Sequence, residues 1–290
     1  MSINRKTFLK ALGVTAVTLA FGKDTSAETV AGDISEKPEL KGILYDMTRC
    51  VGCHGCEYDC AMAHEMPDPD IPRNPPHRRL DISNRTVVNH FETSAGDVAA
   101  KIQCMHCNQP ACATACLTMA MYKTEEGPVI WREDKCMGCR YCMIACPFDV
   151  PRFEYASTNP SIIKCDMCKH LQDEGETPAC AYHCPEEALT FGTRRELLQE
   201  ARKRMHEAPD DYYNHIYGET EAGGTSWLCI SPVPLEEVGF NTKIKNSSYP
   251  ALTKGFISSI APVDLLLPTF LLGVYEATKT RNAKTEEEEN

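Results

Sequence analysis

The sequence predicts an α+β fold assembled from small cysteine-rich modules. The chain has 290 residues and seventeen cysteines, and sixteen of these fall into four quartets. Short apolar runs of strand length, 129–131 and 188–191, lie beside two of the quartets. We expect a short helix to begin at the third cysteine of each quartet. Strands and helices this short, placed around cysteine loops, indicate small mixed modules.

The overall composition limits the class of partner. With 42% apolar residues the chain can bury an ordinary core. Its formal net charge is -11 and its pI is near 5.3. Binding to nucleic acid requires a basic surface that displaces counterions from phosphates, so this acidity argues against a nucleic-acid partner.

The spacing of the cysteines is the most specific motif in the chain. Every quartet begins C-x2-C and ends C-x3-C, and the first and third have the complete C-x2-C-x2-C-x3-C run of bacterial ferredoxins. Three closely spaced thiolates on a tight loop can each bind one iron of a cubane. The pattern therefore predicts four [4Fe-4S] clusters, one for each quartet. The quartets are Cys50, Cys53, Cys56, Cys60; Cys104, Cys107, Cys112, Cys116; Cys136, Cys139, Cys142, Cys146; and Cys165, Cys168, Cys180, Cys184.

The fourth cysteine of each quartet has a different role from the first three. It lies on a following helical turn and points away from the loop. In two-cluster ferredoxins this cysteine binds the neighbouring cluster, so the quartets are expected to work in pairs. The spacing leaves open which quartet pairs with which.

Three other uses of the cysteines compete with iron-sulfur clusters. Structural zinc needs two separated C-x2-C pairs and not a C-x2-C-x2-C triplet. Disulfides suit an exported protein, but regular spacing on short loops would be an unusual covalent framework. Cys50 to His54 matches the C-x-x-C-H haem attachment motif, yet a haem there would dismantle the first quartet. Clusters are favoured over all three.

The rest of the sequence offers no catalytic site. Cys229 stands alone in a short apolar segment and is expected to be a buried, inert thiol. The histidines lack the H-E-x-x-H spacing, and no G-x4-G-K-[ST] phosphate loop occurs. The chain is therefore expected to be non-catalytic.

The N-terminal segment has the layout of an export signal. A basic start with Arg5 and Lys6 is followed by an uncharged run from Ala11 to Gly22 and by small residues up to Ala27. It is similar to a twin-arginine signal in which lysine replaces the second arginine. That route carries folded proteins, which suits a chain that receives its clusters in the cytoplasm. Residues 1–27 are expected to be the signal. The alternative is an uncleaved amphipathic or membrane-anchoring segment.

The C-terminal segment is predicted to cross a membrane. Residues 255–276 are mostly apolar and long enough for a hydrocarbon layer of roughly 30 Å. Pro262, Asp264 and Pro268 weaken the pattern, and a helix packed on a membrane partner is the alternative. The basic residues in the charged tail, 277–290, favour a cytoplasmic C-terminus with the cysteine-rich body outside.

These motifs resemble the four-cluster iron-sulfur subunits of membrane-associated oxidoreductases, a family that includes subunits of nickel-iron hydrogenases, formate dehydrogenases and DMSO reductase. The similarity covers roughly residues 42–280 and is strongest to the electron-transfer subunit of hydrogenase-2-type complexes. It is carried by the stretches Leu44-Tyr45-Asp46, 136–143, 191–198, Tyr217-Gly218-Glu219 and Gly223-Gly224-Thr225.

The resemblance implies how the quartets share ligands: the outer two exchange a cysteine with each other, and so do the inner two. It thereby implies four cysteine sets. They are set 1 (Cys50, Cys53, Cys56, Cys184), set 2 (Cys165, Cys168, Cys180, Cys60), set 3 (Cys104, Cys107, Cys112, Cys146) and set 4 (Cys136, Cys139, Cys142, Cys116).

This pairing implies two interleaved bacterial-ferredoxin-like domains. An inner domain at 95–153 would be inserted into an outer domain made of 42–94 and 154–205. Residues 206–254 are then expected to form a partner-binding extension between the outer domain and the membrane helix.

The resemblance also implies a function, that of a relay for electrons. The expected partners are an exported catalytic unit, a nickel-iron hydrogenase small and large pair, and an integral membrane subunit that reacts with quinone, with a cytochrome as a further candidate. A molybdopterin enzyme such as formate dehydrogenase or polysulfide reductase is the alternative catalytic partner. The expected location is the periplasmic face of the cytoplasmic membrane. A zinc- or disulfide-containing structural protein is the alternative from another class.

Overall fold

The computed structural model describes residues 39–72 and 77–288, so the predicted export signal at 1–27 lies outside the described residues. Strands and short helices alternate along the described chain. The strands are β1 (Lys41–Asp46), β2 (Val87–Thr93), β3 (Gly96–Ile102), β4 (Met121–Lys123), β5 (Val129–Trp131), β6 (Arg152–Phe153), β7 (Ile162–Ile163), β8 (Leu189–Thr193) and β9 (Trp227–Ile230). The α-helices are α1 (Gly55–Ala63), α2 (Ala111–Thr114), α3 (Tyr141–Ala145), α4 (Lys169–Asp173), α5 (Ala179–Tyr182), α6 (Arg194–Glu207) and α7 (Tyr249–Glu288).

A three-stranded sheet of order β8-β1-β9 forms the centre of the molecule. β1 pairs antiparallel with β8, with Gly42 opposite Gly192, and parallel with β9, with Leu44 opposite Leu228. Every residue of β9 is buried, which is typical of a strand covered on both faces. β9 lies within the segment 206–254 that the sequence analysis assigned to a partner-binding extension. That segment therefore supplies part of the central sheet.

One face of this sheet packs against the β2-β3 hairpin. Val87 of β2 lies opposite Ile102 of β3, and Thr93 lies opposite Gly96 at the turn. The largest core cluster combines residues of the sheet with residues of the hairpin and of the cysteine loops. Its members include Ile43, Tyr45, Phe91, Val98, Ala100, Met167, Cys180, Trp227 and Cys229. The same hydrophobic core thus supports the sheet and two of the cysteine loops.

Helix α6 covers the other face of the sheet. Leu197 and Ala201 of α6 pack with Leu44 and Leu228 in a second core cluster. The helix begins with a capping box, in which the Thr193 side chain and the Glu196 side chain bind each other's backbone N–H groups. A helix over 194–205 is predicted from the spacing of apolar residues, and the structure confirms it.

The region around the inner quartets contains two small hairpins. β4 pairs with β5, with Met121 opposite Trp131, and β6 pairs with β7, with Arg152 opposite Ile163. β5 coincides with the predicted strand at 129–131, and β8 overlaps the predicted strand at 188–191. The mixed helix and sheet content confirms the α+β class.

Helix α7 is long, apolar and exposed. Within the described residues it is the helix that meets the length and composition needed to cross a membrane, over Tyr249–Glu276, and an 18-residue window in this stretch has a mean hydropathy of 1.8. None of that window is buried against the rest of the protein. Pro262 and Pro268 lie inside the helix without ending it. The predicted span at 255–276 is therefore helical throughout.

Candidate metal centres

The four C-x2-C loops share one backbone feature. The residue immediately before the second cysteine has a positive φ in each loop: Gly52 at 66°, His106 at 47°, Gly138 at 71° and Met167 at 60°. Glycine adopts this region freely, whereas another residue pays roughly 1–2 kcal/mol. Each loop therefore makes the same tight turn between its first two cysteines. The sequence reveals this turn only in the two loops that contain glycine.

The short helices follow these loops at a fixed position. α1, α2, α3 and α5 each begin one residue before the third cysteine of a quartet, at Gly55, Ala111, Tyr141 and Ala179. The predicted helix starts are thus correct to within one residue. Each helix carries the third cysteine in its first turn, and the fourth cysteine follows one turn later.

The first cavity brings the cysteines of set 1 together. Its lining includes Cys50, Cys53 and Cys56 of the first quartet and Cys184 of the fourth quartet. Tyr45 and Lys101 also line this cavity. Three cysteines of one quartet therefore face one cavity with the last cysteine of another.

A second cavity brings the cysteines of set 4 together. It is lined by Cys136, Cys139 and Cys142 of the third quartet and by Cys116 of the second. Trp131 lies in the same wall. The arrangement repeats that of the first cavity, with the two inner quartets in place of the outer two.

In sets 2 and 3, the pKa shift of one thiol identifies the cysteines that lie near it. Burial and the nearby Cys165, Cys180 and Cys168 raise the pKa of Cys60 well above its usual value. Burial and the nearby Cys104, Cys146 and Cys112 do the same to the pKa of Cys107. All sixteen cysteines of the quartets thus have a place in one of four local groups.

Most of these thiols lie in apolar surroundings, which disfavour a free thiolate. Burial raises the pKa of Cys56 to about 12, that of Cys142 to about 11 and that of Cys180 to about 11. A buried thiolate is therefore stable only next to a cation, and a coordinating metal deprotonates a thiol outright. Four converging thiols in mostly apolar surroundings suit the binding of iron.

Buried polar groups without a hydrogen-bond partner provide a separate test of whether these sites fit a cluster. Within the described part of the chain, the Trp131 Nε1–H in the set 4 wall has no hydrogen-bond acceptor. An unsatisfied buried donor costs about 1–3 kcal/mol, so an acceptor is expected beside it. Cluster sulfides and cysteine sulfurs accept hydrogen bonds of this kind. The donor and the cysteines of set 4 together fit a [4Fe-4S] cluster.

Other residues contact the cysteine sulfurs and were not found from the sequence. The Met167 N–H donates to Cys165 Sγ at 3.3 Å, and the Met121 N–H donates to Cys116 Sγ at 3.3 Å. His64 Nε2 lies 3.7 Å from Cys168 Sγ and 3.2 Å from Asp166 Oδ1. Such contacts hold metal ligands in position and adjust the potential of a cluster. His64 reaches Cys168 only through the tertiary fold.

The four sets adjoin one another in numerical order. Charge interactions join Cys56 of set 1 to Cys180 of set 2, Cys165 of set 2 to Cys104 of set 3, and Cys112 of set 3 to Cys142 of set 4. Cys53 in set 1 and Cys139 in set 4 are exposed. Each set therefore neighbours the next, and sets 1 and 4 each have a cysteine at the protein surface.

The seventeenth cysteine lies apart from the four sets. Cys229 is in β9, is fully buried, and packs in the main core cluster. Burial raises its pKa far above the usual value, so the thiol is unreactive at neutral pH. This agrees with the inert role expected from the sequence.

Comparison with known proteins gives a consistent picture. Residues 98–194 match the 4Fe-4S dicluster domain family. A protein of Nitratidesulfovibrio vulgaris (strain Hildenborough) is 39% identical over 98% of the chain and 78% of its own length. The hydrogenase-2 operon protein HybA of Escherichia coli O157:H7 is 31% identical over 98% of the chain and 97% of its own length. The iron-sulfur subunit of the nitrate-inducible formate dehydrogenase of Escherichia coli K12 is 31% identical over 64% of the chain and 66% of its own length.

The hydrogenase-2 operon protein aligns with nearly the whole of this chain, and the formate dehydrogenase subunit aligns with much of it. The dicluster match spans the second, third and fourth quartets completely. Together with the cysteine geometry, these similarities establish that the chain belongs to the family of 4Fe-4S electron-transfer subunits of hydrogenases, formate dehydrogenases and dimethyl sulfoxide reductases.

Proposed function

We propose that the protein relays electrons through four [4Fe-4S] clusters, one in each of sets 1 to 4, between an exported catalytic subunit and a membrane subunit that reacts with quinone. The single observation that carries this proposal is the mixed lining of the two cavities. Each combines three cysteines of one quartet with the fourth cysteine of another. This is the ligand exchange expected for paired cubanes.

The clusters would supply one-electron chemistry, and the protein would supply position and insulation. Thiols such as those of Cys60, Cys112 and Cys180 are buried away from water, and backbone N–H groups such as that of Met167 donate to cysteine sulfur. Burial and hydrogen bonds to sulfur are the features that adjust cluster potentials. Each set is the neighbour of the next, which suits stepwise transfer.

The pairing of β1 with β8 supports the interleaved domains. These strands flank the first and fourth quartets, and the two inner quartets lie between them in the chain. We therefore assign sets 1 and 2 to an outer domain, 42–94 with 154–205, and sets 3 and 4 to an inner domain at 95–153. Strand β9 would complete the outer domain, although it belongs to the extension in sequence.

The attachment of α7 supports a proposed orientation on the membrane. Ser248, just before this helix, donates a hydrogen bond to Gln109, which lies between two cysteines of set 3. Set 4 would then face the membrane subunit, and set 1 would face the catalytic subunit. Five large apolar side chains are exposed around Cys139 of set 4, which suits a protein interface. They are Leu117, Met119, Met137, Tyr141 and Ile144.

The export signal at 1–27 and the basic tail would place the cysteine-rich body on the periplasmic face, with α7 as the anchor.

The test of the relay is the iron and acid-labile sulfide content of anaerobically purified protein, with the EPR spectrum after dithionite reduction. We expect about sixteen irons and about sixteen sulfides per chain, the number that four cubanes require. A colourless protein, or one with zinc in place of iron, would refute the relay.

The catalytic partner is proposed to be a nickel-iron hydrogenase, because the match to the hydrogenase-2 operon protein spans nearly the whole chain. A molybdopterin enzyme is the second candidate, and the similarity to a formate dehydrogenase subunit favours it. Metal analysis of the native complex separates the two. Nickel without molybdenum supports the hydrogenase, and molybdenum or tungsten without nickel supports the second candidate.

A further inference from the structure

A buried lysine lies between the first two cysteine sets. Lys101 is in β3, opposite Val88, and only 2% of it is exposed. It lines the set 1 cavity together with Cys56. Lysine is almost never fully buried without a partner, because removing an ammonium group from water is costly. Its environment must therefore compensate for its charge.

The contacts of the Lys101 ammonium are consistent with a fixed positive charge. Nζ donates a hydrogen bond to Thr86 Oγ1, and it lies over the Trp227 ring at 5.2 Å from the centroid. Thr86 and Trp227 are themselves buried, so the ammonium is held in one place. A hydroxyl and an aromatic ring are weak partners for a full charge, and they leave most of it available to other groups.

The anionic groups around Lys101 are cysteine sulfurs from both sets. Cys56 of set 1 lines the same cavity as Lys101, and Cys180, Cys60 and Cys165 of set 2 lie within electrostatic range of the ammonium. The lysine therefore lies at the junction of the two sets.

We propose that Lys101 is a potential-tuning residue, whose buried positive charge raises the reduction potentials of the clusters in sets 1 and 2. This inference rests on the proposed cluster content of those sets. A cluster gains negative charge when it is reduced, so a nearby cation stabilises the reduced form. The effect is large in a buried site because little water screens it. The neighbouring pair of clusters would thus accept electrons more readily than their burial alone allows.

The test compares two neutral variants with a charged one. Lys101→Gln keeps an N–H donor for Thr86, and Lys101→Met keeps the chain length without polar atoms. In both variants we expect about sixteen irons per chain. The equilibrium constant for reduction of two of the four clusters should fall at least tenfold, which corresponds to about 59 mV for one electron. The measurement is a redox titration followed by EPR.

Two controls separate charge from structure. Lys101→Arg keeps the charge and is expected to restore the wild-type potentials. Lys203→Met removes a lysine from the exposed side of α6, where water screens the charge, and should leave all potentials unchanged.

Unchanged midpoint potentials in an iron-replete neutral variant would overturn the proposal while leaving the relay intact. An equal fall of the midpoint potentials in the arginine variant would also overturn the proposal, because it would indicate a packing effect. Loss of iron from both neutral variants, with the arginine variant replete, would replace it with a role in cluster retention. Failure of the relay itself would be seen in the wild type, as a protein without iron.

Discussion

The Ser248 hydroxyl donates a hydrogen bond of 2.6 Å to the side-chain oxygen of Gln109. Gln109 lies between Cys107 and Cys112 in the second quartet, and Ser248 immediately precedes α7. The beginning of the apolar helix is thereby joined to the loop that carries two cysteines of set 3. The apolar helix and the inner cysteine sets are therefore structurally linked.

Removal of residues 249–290 is expected to release the protein from membranes without loss of iron. The last quartet ends at Cys184, and the 18-residue apolar window of α7 is not buried against the body. The measurement is membrane flotation, with iron analysis, of protein produced without partner subunits. A matched truncation that removes only 277–290 should still float with the membranes. If the longer truncation also floats, the helix is not the anchor.

Substitution of a set 4 ligand should damage one cluster only. In Cys139→Ser we expect a loss of between about one and four irons per chain, because one cubane loses an iron or fails to assemble. Electron transfer to a quinone analogue in the native complex should also stop. EPR and iron analysis provide the measurement. Cys229→Ala is the matched control. Because Cys229 lies outside the four sets, this variant should keep its full iron content.

The buried ion pair between α6 and β1 is expected to be important for stability. Arg204 Nη1 lies 3.1 Å from Asp46 Oδ2, and the Asp46 side chain has no exposed surface. Arg204→Met removes the closer of two cations from a buried carboxylate and leaves the part-exposed Arg49 at 3.6 Å, at a cost of up to about 3–5 kcal/mol. This corresponds to a fall of roughly 10 °C in the midpoint of thermal unfolding, measured by circular dichroism.

Arg202 on the same helix provides the comparison. It pairs with Glu219, but 60% of its side chain is exposed. The Arg202→Met variant should lose less than about 1 kcal/mol, because an exposed pair contributes little. Equal destabilisation of the two variants would mean that helix packing, not the buried charge pair, accounts for the effect.

The close approach of β1 and β9 leads to a prediction for two glycines. Gly42 of β1 lies beside β9, and its partner across the sheet is Gly192 of β8. A methyl group on Gly42 would lie 2.2 Å from the backbone oxygen of Ser226, which immediately precedes β9. Gly42→Ala should therefore force β9 away from β1 and cost at least about 1–3 kcal/mol. A methyl group on its partner Gly192 would lie no closer than 3.6 Å to a neighbouring atom, so Gly192→Ala should be tolerated. Thermal unfolding of both variants tests this. Equal stability would argue against β9 as part of the central sheet.

The sequence by itself determined the local chemistry of this protein. Three of the four cysteines that a cubane needs come from one quartet, so the C-x2-C and C-x3-C spacings could be read directly, and helix starts within one residue of Gly55, Ala111, Tyr141 and Ala179 were predicted from them. The strand at 129–131 and helix α6 were also predicted, since both depend on apolar residues close together in the chain. The long apolar segment of α7 was evident for the same reason.

Only the tertiary structure decided the relationships between distant segments. It brings Cys184 beside Cys50 in one cavity, adds β9 to the central sheet, and buries Lys101 between two cysteine sets. The left-handed turns at His106 and Met167 also depend on surrounding contacts, because neither residue favours that conformation alone. Local spacing specifies which atoms can bind iron. Long-range packing determines which of them meet and what charges surround them.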